Sequence, residues 1–263
     1  MKTRILTIIL FTLLVNAMYS NIVILNGLTH VYTGSTGETI TGEVILINSS
    51  DQEQRVTFEL NEAIFSCTSN RIFIKDKFHQ QSSSKWFSAN LMDKLLAPRE
   101  KYVYKFSIKI PNDKSLKGSF WSMLMVNVEK PIKEESLNTK IGLDTKISYA
   151  IGLLTNVNAF DNVNLDFSSI NLKEDSNSLK KELEVKVLNE SLFIEGVKLS
   201  LEIYDTKGTK IKETETDRNM VFPGFCRDFK FDVSVLPNGE YNCVLIADAR
   251  KEFVGTNISL TIK

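Results

Sequence analysis

Gly118-Ser-Phe-Trp-Ser-Met-Leu-Met-Val-Asn-Val128 and, after a charged loop, Thr139-Lys-Ile-Gly-Leu-Asp-Thr-Lys-Ile-Ser-Tyr-Ala-Ile-Gly-Leu-Leu154 are the stretches that decide the fold. Side chains alternate along an extended chain. In the first stretch Phe120, Leu124, Val126 and Val128 therefore share one face while Trp121, Met123 and Met125 share the other, so both faces are largely apolar. In the second, Ile141, Leu143, Ile147, Tyr149, Ile151 and Leu153 share one parity, and Lys140, Gly142, Asp144, Lys146 and Ser148 take the other, a one-sided strand. We read them as the last two strands of a first β-sandwich, the second continuing into a second domain.

The same alternation runs outward in both directions. Upstream, residues 22–25 and 28–32 read as a first strand interrupted by Asn26-Gly27, and Ile40, Gly42, Val44 and Leu46 alternate with Thr41, Glu43, Ile45 and Ile47. Val56, Phe58 and Leu60 alternate with Arg55, Thr57 and Glu59. Tyr102, Tyr104, Phe106, Ile108 and Ile110 alternate with a face carrying Lys101, Lys105 and Lys109. Downstream, residues 155–158 read as the hinge between domains and residues 171–180 as a polar loop. Runs at Leu183, Val185 and Val187, and from Val197 to Ile203, then lead to a hairpin turn at Asp205-Thr-Lys-Gly208. Strands at 229–235, 241–247 and 253–262 complete the second half. Short strands at regular spacing with turn residues between them predict an all-β chain of two tandem Ig-like sandwiches, residues 21–154 and 155–263.

Residues 1–20 carry Lys2 and Arg4 followed by an apolar run from Ile5 to Val15, the proportions of a cleavable signal peptide ending after Ala17 or Ser20. The mature chain, roughly 240 residues, suits two sandwiches of about 100 residues each, and no later segment is apolar enough to span a membrane. Lys plus Arg equals Asp plus Glu at 32 each, so no net field draws a polyanion and nucleic acid is not expected. The chain has three cysteines, Cys67, Cys226 and Cys243. If any pair bridges, Cys226 with Cys243 is the candidate, leaving Cys67 a thiol. The other reading makes all three small core residues.

Catalytic patterns are sparse. The two histidines, His30 and His79, stand in a strand and a polar loop without a neighbouring Ser or Cys in a recognisable motif. Ser82-Ser-Ser-Lys85 and Ser178-Leu-Lys-Lys181 match an acyl-serine spacing, but neither opens a helix. Asp161 to Asp166 lacks the glycine and distal Glu of an EF-hand loop, and there is no zinc or phosphate-loop spacing. The expectation is a non-enzymatic protein without cofactor or metal. Trp86 and Phe87, delivered by the Gln80-Gln-Ser-Ser-Ser84 loop, form either a core plug or an aromatic platform.

The order Leu95-Leu-Ala-Pro-Arg-Glu100, the strand 102–110, Gly118-Ser-Phe-Trp-Ser-Met-Leu-Met-Val and Thr145-Lys-Ile-Ser-Tyr149 resembles the first domain of PapD-like periplasmic pilus chaperones. It is also similar to the Ig-like domain of WxL-interacting surface proteins. The resemblance covers residues 22–154 and implies a periplasmic or surface protein that completes the fold of another envelope protein through the last strand of its first domain. That apolar role would fall to Ile141 and Leu143. The chaperones' basic pair, which holds a subunit's terminal carboxylate, is not matched. Thr29 and His30 stand where the family has its Arg, and Ser148 where it has its Lys, with Lys146 two residues earlier.

The leading expectation is thus a secreted or periplasmic assembly chaperone or surface component. It binds another envelope protein through an edge strand that includes Thr139, Ile141, Leu143 and Lys146, with His30 nearby. The alternative, from a different class, is a cell-wall glycan module using Trp86 and Phe87. For the strand itself two readings are open: an exposed template for a partner's strand, or an extension of the domain's own core.

Overall fold

The computed structural model describes residues 22–67, 72–75, 77–129, 146–175, 180–250 and 252–262. The expected signal peptide and the segment carrying Thr139, Ile141 and Leu143 lie outside the described residues. The chain divides into two compact units, Met1–Glu62 with Ile74–Lys114 and Phe120–Thr155, and Ala63–Phe73 with Ser115–Ser119 and Asn156–Lys263. Both are built of β-strands, and the chain is an all-β protein of two Ig-like sandwiches.

The strands of the first half are β1 (Ile22–Ile24), β2 (Thr29–Gly34), β3 (Thr39–Asn48), β4 (Gln54–Ile64), β5 (Ile72–Ile74), β6 (Phe87–Ser88), β7 (Lys94–Leu96), β8 (Lys101–Lys109), β9 (Gly118–Glu129) and β10 (Ile147–Val157). One sheet runs β1-β3-β8-β6; the other runs β2-β10-β9-β4-β5 with β7 on β4. The core between them takes Val44, Leu46, Tyr104, Phe106 and Ile108 from the first sheet and Val56, Phe58, Leu124, Val126, Ile151 and Leu153 from the second. Alternation dictates that set: on β8 the three lysines are exposed while Tyr104, Phe106 and Ile108 are buried. Strand β9, apolar on both faces, sits inside its sheet between β10 and β4.

The stretch read as one interrupted first strand is two strands in different sheets. Gly27, at φ +86°, turns the chain. Asn26 anchors the turn to β3, its amide donating to the Glu43 carbonyl at 2.8 Å and its carbonyl accepting from the Ile45 N–H at 3.0 Å. Gly42 has a different cause. A Cβ there would overlap the Tyr32 hydroxyl and stand 2.5 Å from the Phe106 ring, so only glycine lets those rings close over β3.

The second half comprises β11 (Leu165–Asp175), β12 (Lys180–Asn189), β13 (Glu195–Tyr204), β14 (Lys210–Glu215), β15 (Asn219–Val221), β16 (Cys226–Asp232), β17 (Gly239–Ala249) and β18 (Glu252–Ile262). Sheet β11-β12-β16 packs on sheet β14-β13-β17-β18, with β15 on β13. Val185, Val187, Phe229 and Phe231 from the one meet Leu199, Leu201, Leu245 and Leu260 from the other. The turn read at Asp205 forms as expected: the Gly208 N–H donates to the Asp205 carbonyl at 3.0 Å, and Asp205 Oδ1 accepts from the Lys207 and Thr209 amides.

Two expectations are corrected and one boundary is refined. The polar loop placed at residues 171–180 is largely strand: β11 pairs β12 from Leu165↔Asn189 to Asp175↔Lys180, with a bulge between Phe167 and Ser169. The bulge shifts parity, so Leu165 and Phe167 pack inward on odd positions and Ile170 and Leu172 on even ones, which erases the alternation. The two units divide between Thr155 and Asn156, inside the segment expected as the hinge, and that segment is the buried end of β10, Thr155 and Val157 having no exposure. Its polar groups find partners, Asn156 Oδ1 accepting from Ser119 Oγ at 2.6 Å and the Asn158 amide donating to the Leu116 carbonyl at 2.7 Å. Finally, the disulfide joins Cys67 to Cys226, not Cys226 to Cys243. Cys243 shares inward parity with Leu245 and Ala247 on β17, so its sulfur faces the core, and burial pushes its thiol up to about 11.

Candidate functional site

The expected docking strand leads into β10, whose first residues carry the geometry closest to it. Ile147 and Tyr149 pack against the core that contains Ile151. On the other parity Ser148 Oγ donates to Asn127 Oδ1 at 2.7 Å, fixing β10 to β9. The Tyr149 hydroxyl donates to the Ile22 carbonyl. Lys146 Nζ lies 2.7 Å from Glu129 Oε1. That hydrogen bond and charge hold the Glu129 carboxyl below its ordinary range and raise the Lys146 ammonium, both groups being solvent-exposed. Lys146 therefore already has a carboxylate partner.

His30 stands on the inward parity of β2. Its Nε2 is 3.2 Å from the Gly27 carbonyl and its Nδ1 is 3.5 Å from the Tyr32 hydroxyl. Strand β2 meets β10 where the Gly152 N–H donates to the Leu28 carbonyl at 2.9 Å. Lys146 precedes Gly152 by a span of roughly 20 Å at about 3.3 Å per extended residue. Lys146 and His30 have separate partners, the Glu129 carboxylate for the one and the Gly27 carbonyl and Tyr32 hydroxyl for the other. Around β2, however, Leu25, Leu28 and Val31 are about half exposed, an apolar surface that alternation alone did not single out because Leu25 and Leu28 flank the Asn26-Gly27 turn.

Trp86 and Phe87 are half-buried against the first core. The Trp86 ring lies 4.6 Å from that of Phe120, and Phe87 stacks on Phe106 at 5.3 Å. Each ring of the pair is committed on one face to the sandwich.

Sequence reasoning missed a polar cluster at the fork where β4 leaves β9. The β4–β9 ladder ends at Asn61↔Met123, and at Trp121 its place is taken by Ser82 in a parallel bridge. The Trp121 N–H donates to the Gln81 carbonyl at 2.9 Å and the Ser83 N–H to the Trp121 carbonyl at 3.1 Å. Into this fork β4 carries Glu62, 2% exposed. Ser82 Oγ donates to Glu62 Oε1 at 2.8 Å. His79 Nε2 lies 3.1 Å from Oε2 but off hydrogen-bond alignment, and the imidazole stacks on Trp121 at 4.6 Å. Burial lowers the His79 pKa, the Glu62 charge opposing it. The carboxylate stands between the serine and the histidine, so the imidazole does not reach Ser82 and the order is not that of a Ser-His-Asp triad. The signal available in sequence was Glu62 itself, an acidic residue continuing the inward parity of Val56, Phe58 and Leu60.

Among the described residues no group of His, Cys, Asp and Glu is arranged to hold a metal ion. Asp161, at the head of the stretch considered for Ca²⁺, pairs with Lys117. Among the same residues no helix is long and apolar enough to cross a membrane.

No family model matches the sequence, and no curated protein matches it. Solved structures do match. The YadV chaperone is 12% identical, with 92% of this chain and 100% of that one covered at a TM-score of 0.47. The class 5 fimbriae chaperone CfaA is 14% identical, with 92% and 100% covered at 0.49. The E. coli chaperone DraB is 14% identical, with 92% and 98% covered at 0.42. At these identities and scores the likenesses carry no argument about what this chain binds.

Proposed function

We propose that this chain is a non-enzymatic, exported protein of the periplasm or cell surface that binds another envelope protein by strand addition, in the manner of a pilus or surface-structure assembly chaperone. The observation that carries the reading is a continuity of parity. Ile147, Tyr149 and Ile151 form the apolar face of β10 on the first core, and the same odd positions continue back in sequence to Leu143 and Ile141. A strand whose apolar face is already registered on a core offers, in its upstream extension, backbone groups for a partner strand and side chains for the partner's groove.

In this reading Ile141 and Leu143 fill the partner's groove and the backbone from Thr139 supplies the ladder. Lys146, held by Glu129, orients the start of β10 and does not capture a terminal carboxylate. The test is Leu143→Asp. In a docking strand it abolishes retention of the co-purifying envelope subunit, identified by mass spectrometry, with an unchanged melting temperature. In a core it costs several kcal/mol by burying an unpaired charge. A large drop in melting temperature, or unchanged retention, contradicts the proposal. So does binding to purified peptidoglycan that Trp86→Ala abolishes.

A further inference from the structure

Strand β4 ends at Ile64, and the residues immediately after it belong to the second unit. Phe65 stacks on Phe222 at 4.0 Å between ring centroids and meets Phe225 edge-on at 6.0 Å. Two residues later Cys67 is bonded to Cys226, the first residue of β16. Phe65 and Ser66 also form one wall of a cleft of about 440 Å³, with Met220, Phe222, Phe225 and Lys230 among its other walls.

Both bonded cysteines are only partly buried, unlike the third. The third cysteine is shielded. Cys243 is 2% exposed in the core with its thiol pushed up to about 11, and a buried, protonated thiol is a poor nucleophile for exchange. The second sandwich is meanwhile tied together by the continuous β12–β16 and β13–β17 ladders, which the disulfide does not supply.

We propose that the Cys67–Cys226 bond is a thiol-reversible latch that holds residues 63–67 on the second unit and closes one wall of the adjoining cleft. A dithiol opens it in two steps. Its thiolate attacks one sulfur, forming a mixed disulfide and expelling the other cysteine as a thiolate, which takes up a proton. The dithiol's second thiolate then displaces the remaining cysteine, leaving a cyclic disulfide on the reductant and two thiols on the protein, with both electrons drawn from the dithiol. The latch opens locally while the sandwich persists.

The test is hydrogen exchange with thiol alkylation on the full chain, before and after dithiothreitol. Before reduction, alkylation under denaturing conditions labels Cys243 alone; afterwards it labels all three cysteines. Exchange at residues 63–67 rises about tenfold or more, as for a segment released from local protection, while β12, β13 and β17 are unchanged. The Cys243→Ala chain responds in the same way. Three labelled cysteines before reduction, unchanged exchange at 63–67, exchange rising equally in β12, β13 and β17, or loss of the response in Cys243→Ala each overturns the proposal.

Discussion

Among the described residues each unit buries one carboxylate, and the two are kept in opposite ways. Glu195 opens β13 with no exposure, and Arg250 grips both its oxygens, Nε at 2.8 Å from Oε2 and a terminal nitrogen at 2.7 Å from Oε1. The same guanidinium lies over the rings of Phe160 and Phe193 at 4.8 and 5.9 Å and donates to the Asp161 carbonyl. An arginine is charged at every pH a protein meets, and its planar fork satisfies a carboxylate bidentately, so this pair is permanent. Glu62, in the first unit, has one aligned donor, Ser82, and beside it an imidazole whose charge depends on pH. The difference teaches that burial of a carboxylate does not define its role. The chemistry of the partner decides whether the site is a fixed tie or a responsive one.

The strongest way to break the comparison is Arg250→Met. It leaves Glu195 buried without a counter-charge and is expected to cost about 3–5 kcal/mol, as for other halves of buried pairs. Adding Glu195→Gln should return part of that loss. Denaturant unfolding of the single and double variants measures both, and a single variant as stable as wild type would remove the pair as a source of stability.

Ser82→Ala should come next. It takes the aligned hydroxyl from Glu62, an expected loss of about 1–3 kcal/mol for an unsatisfied buried acceptor, read from the same unfolding curves.

The third contrast is in pH. The His79 pKa is lowered in the folded chain, so folding favours its neutral form. A depressed pKa means the unfolded chain binds more protons. The contribution is therefore complete above the ordinary imidazole value of about 6.5 and is lost as pH falls through the folded value. Melting temperature should drop with acidification below that point. His79→Gln should flatten the slope. A wild-type slope retained in His79→Gln would assign the titration elsewhere.

The smallest effect is expected at the exposed pair. Lys146→Ala should leave the melting temperature unmoved, because two solvated charges gain little from pairing. A clear loss would show that Lys146 does more than orient the start of β10.

Regular alternation made much of this fold readable. The β8 lysines, the two apolar faces of β9 and the Asp205 turn all follow from side-chain parity and turn chemistry, whereas β10, read as one-sided, is buried on both parities from Ile151 to Val157. Where parity broke, the reading broke. The bulge at Phe167 and Ser169 hid β11, and Asn26-Gly27 looked like an interruption although it passes the chain between sheets. Cys67 and Cys226 are separated by 159 positions, a pairing that no local pattern encodes. The Glu62 cluster was illegible for a related reason, since Glu62, His79, Ser82 and Trp121 meet only because the strap at 81–83 replaces β4 beside β9. The exposed Leu25, Leu28 and Val31 surface likewise depends on which sheet β2 joins.

The central claim is that the upstream extension of β10 is a template for a partner's strand. Hydrogen exchange on the purified native complex, compared with the same chain stripped of its partner, tests it most directly. Strand addition predicts that amides within residues 139–145 exchange rapidly in the free chain and are strongly protected in the complex, while β8 and β17 are protected equally in both. Equal exchange at 139–145 with and without the partner would contradict it.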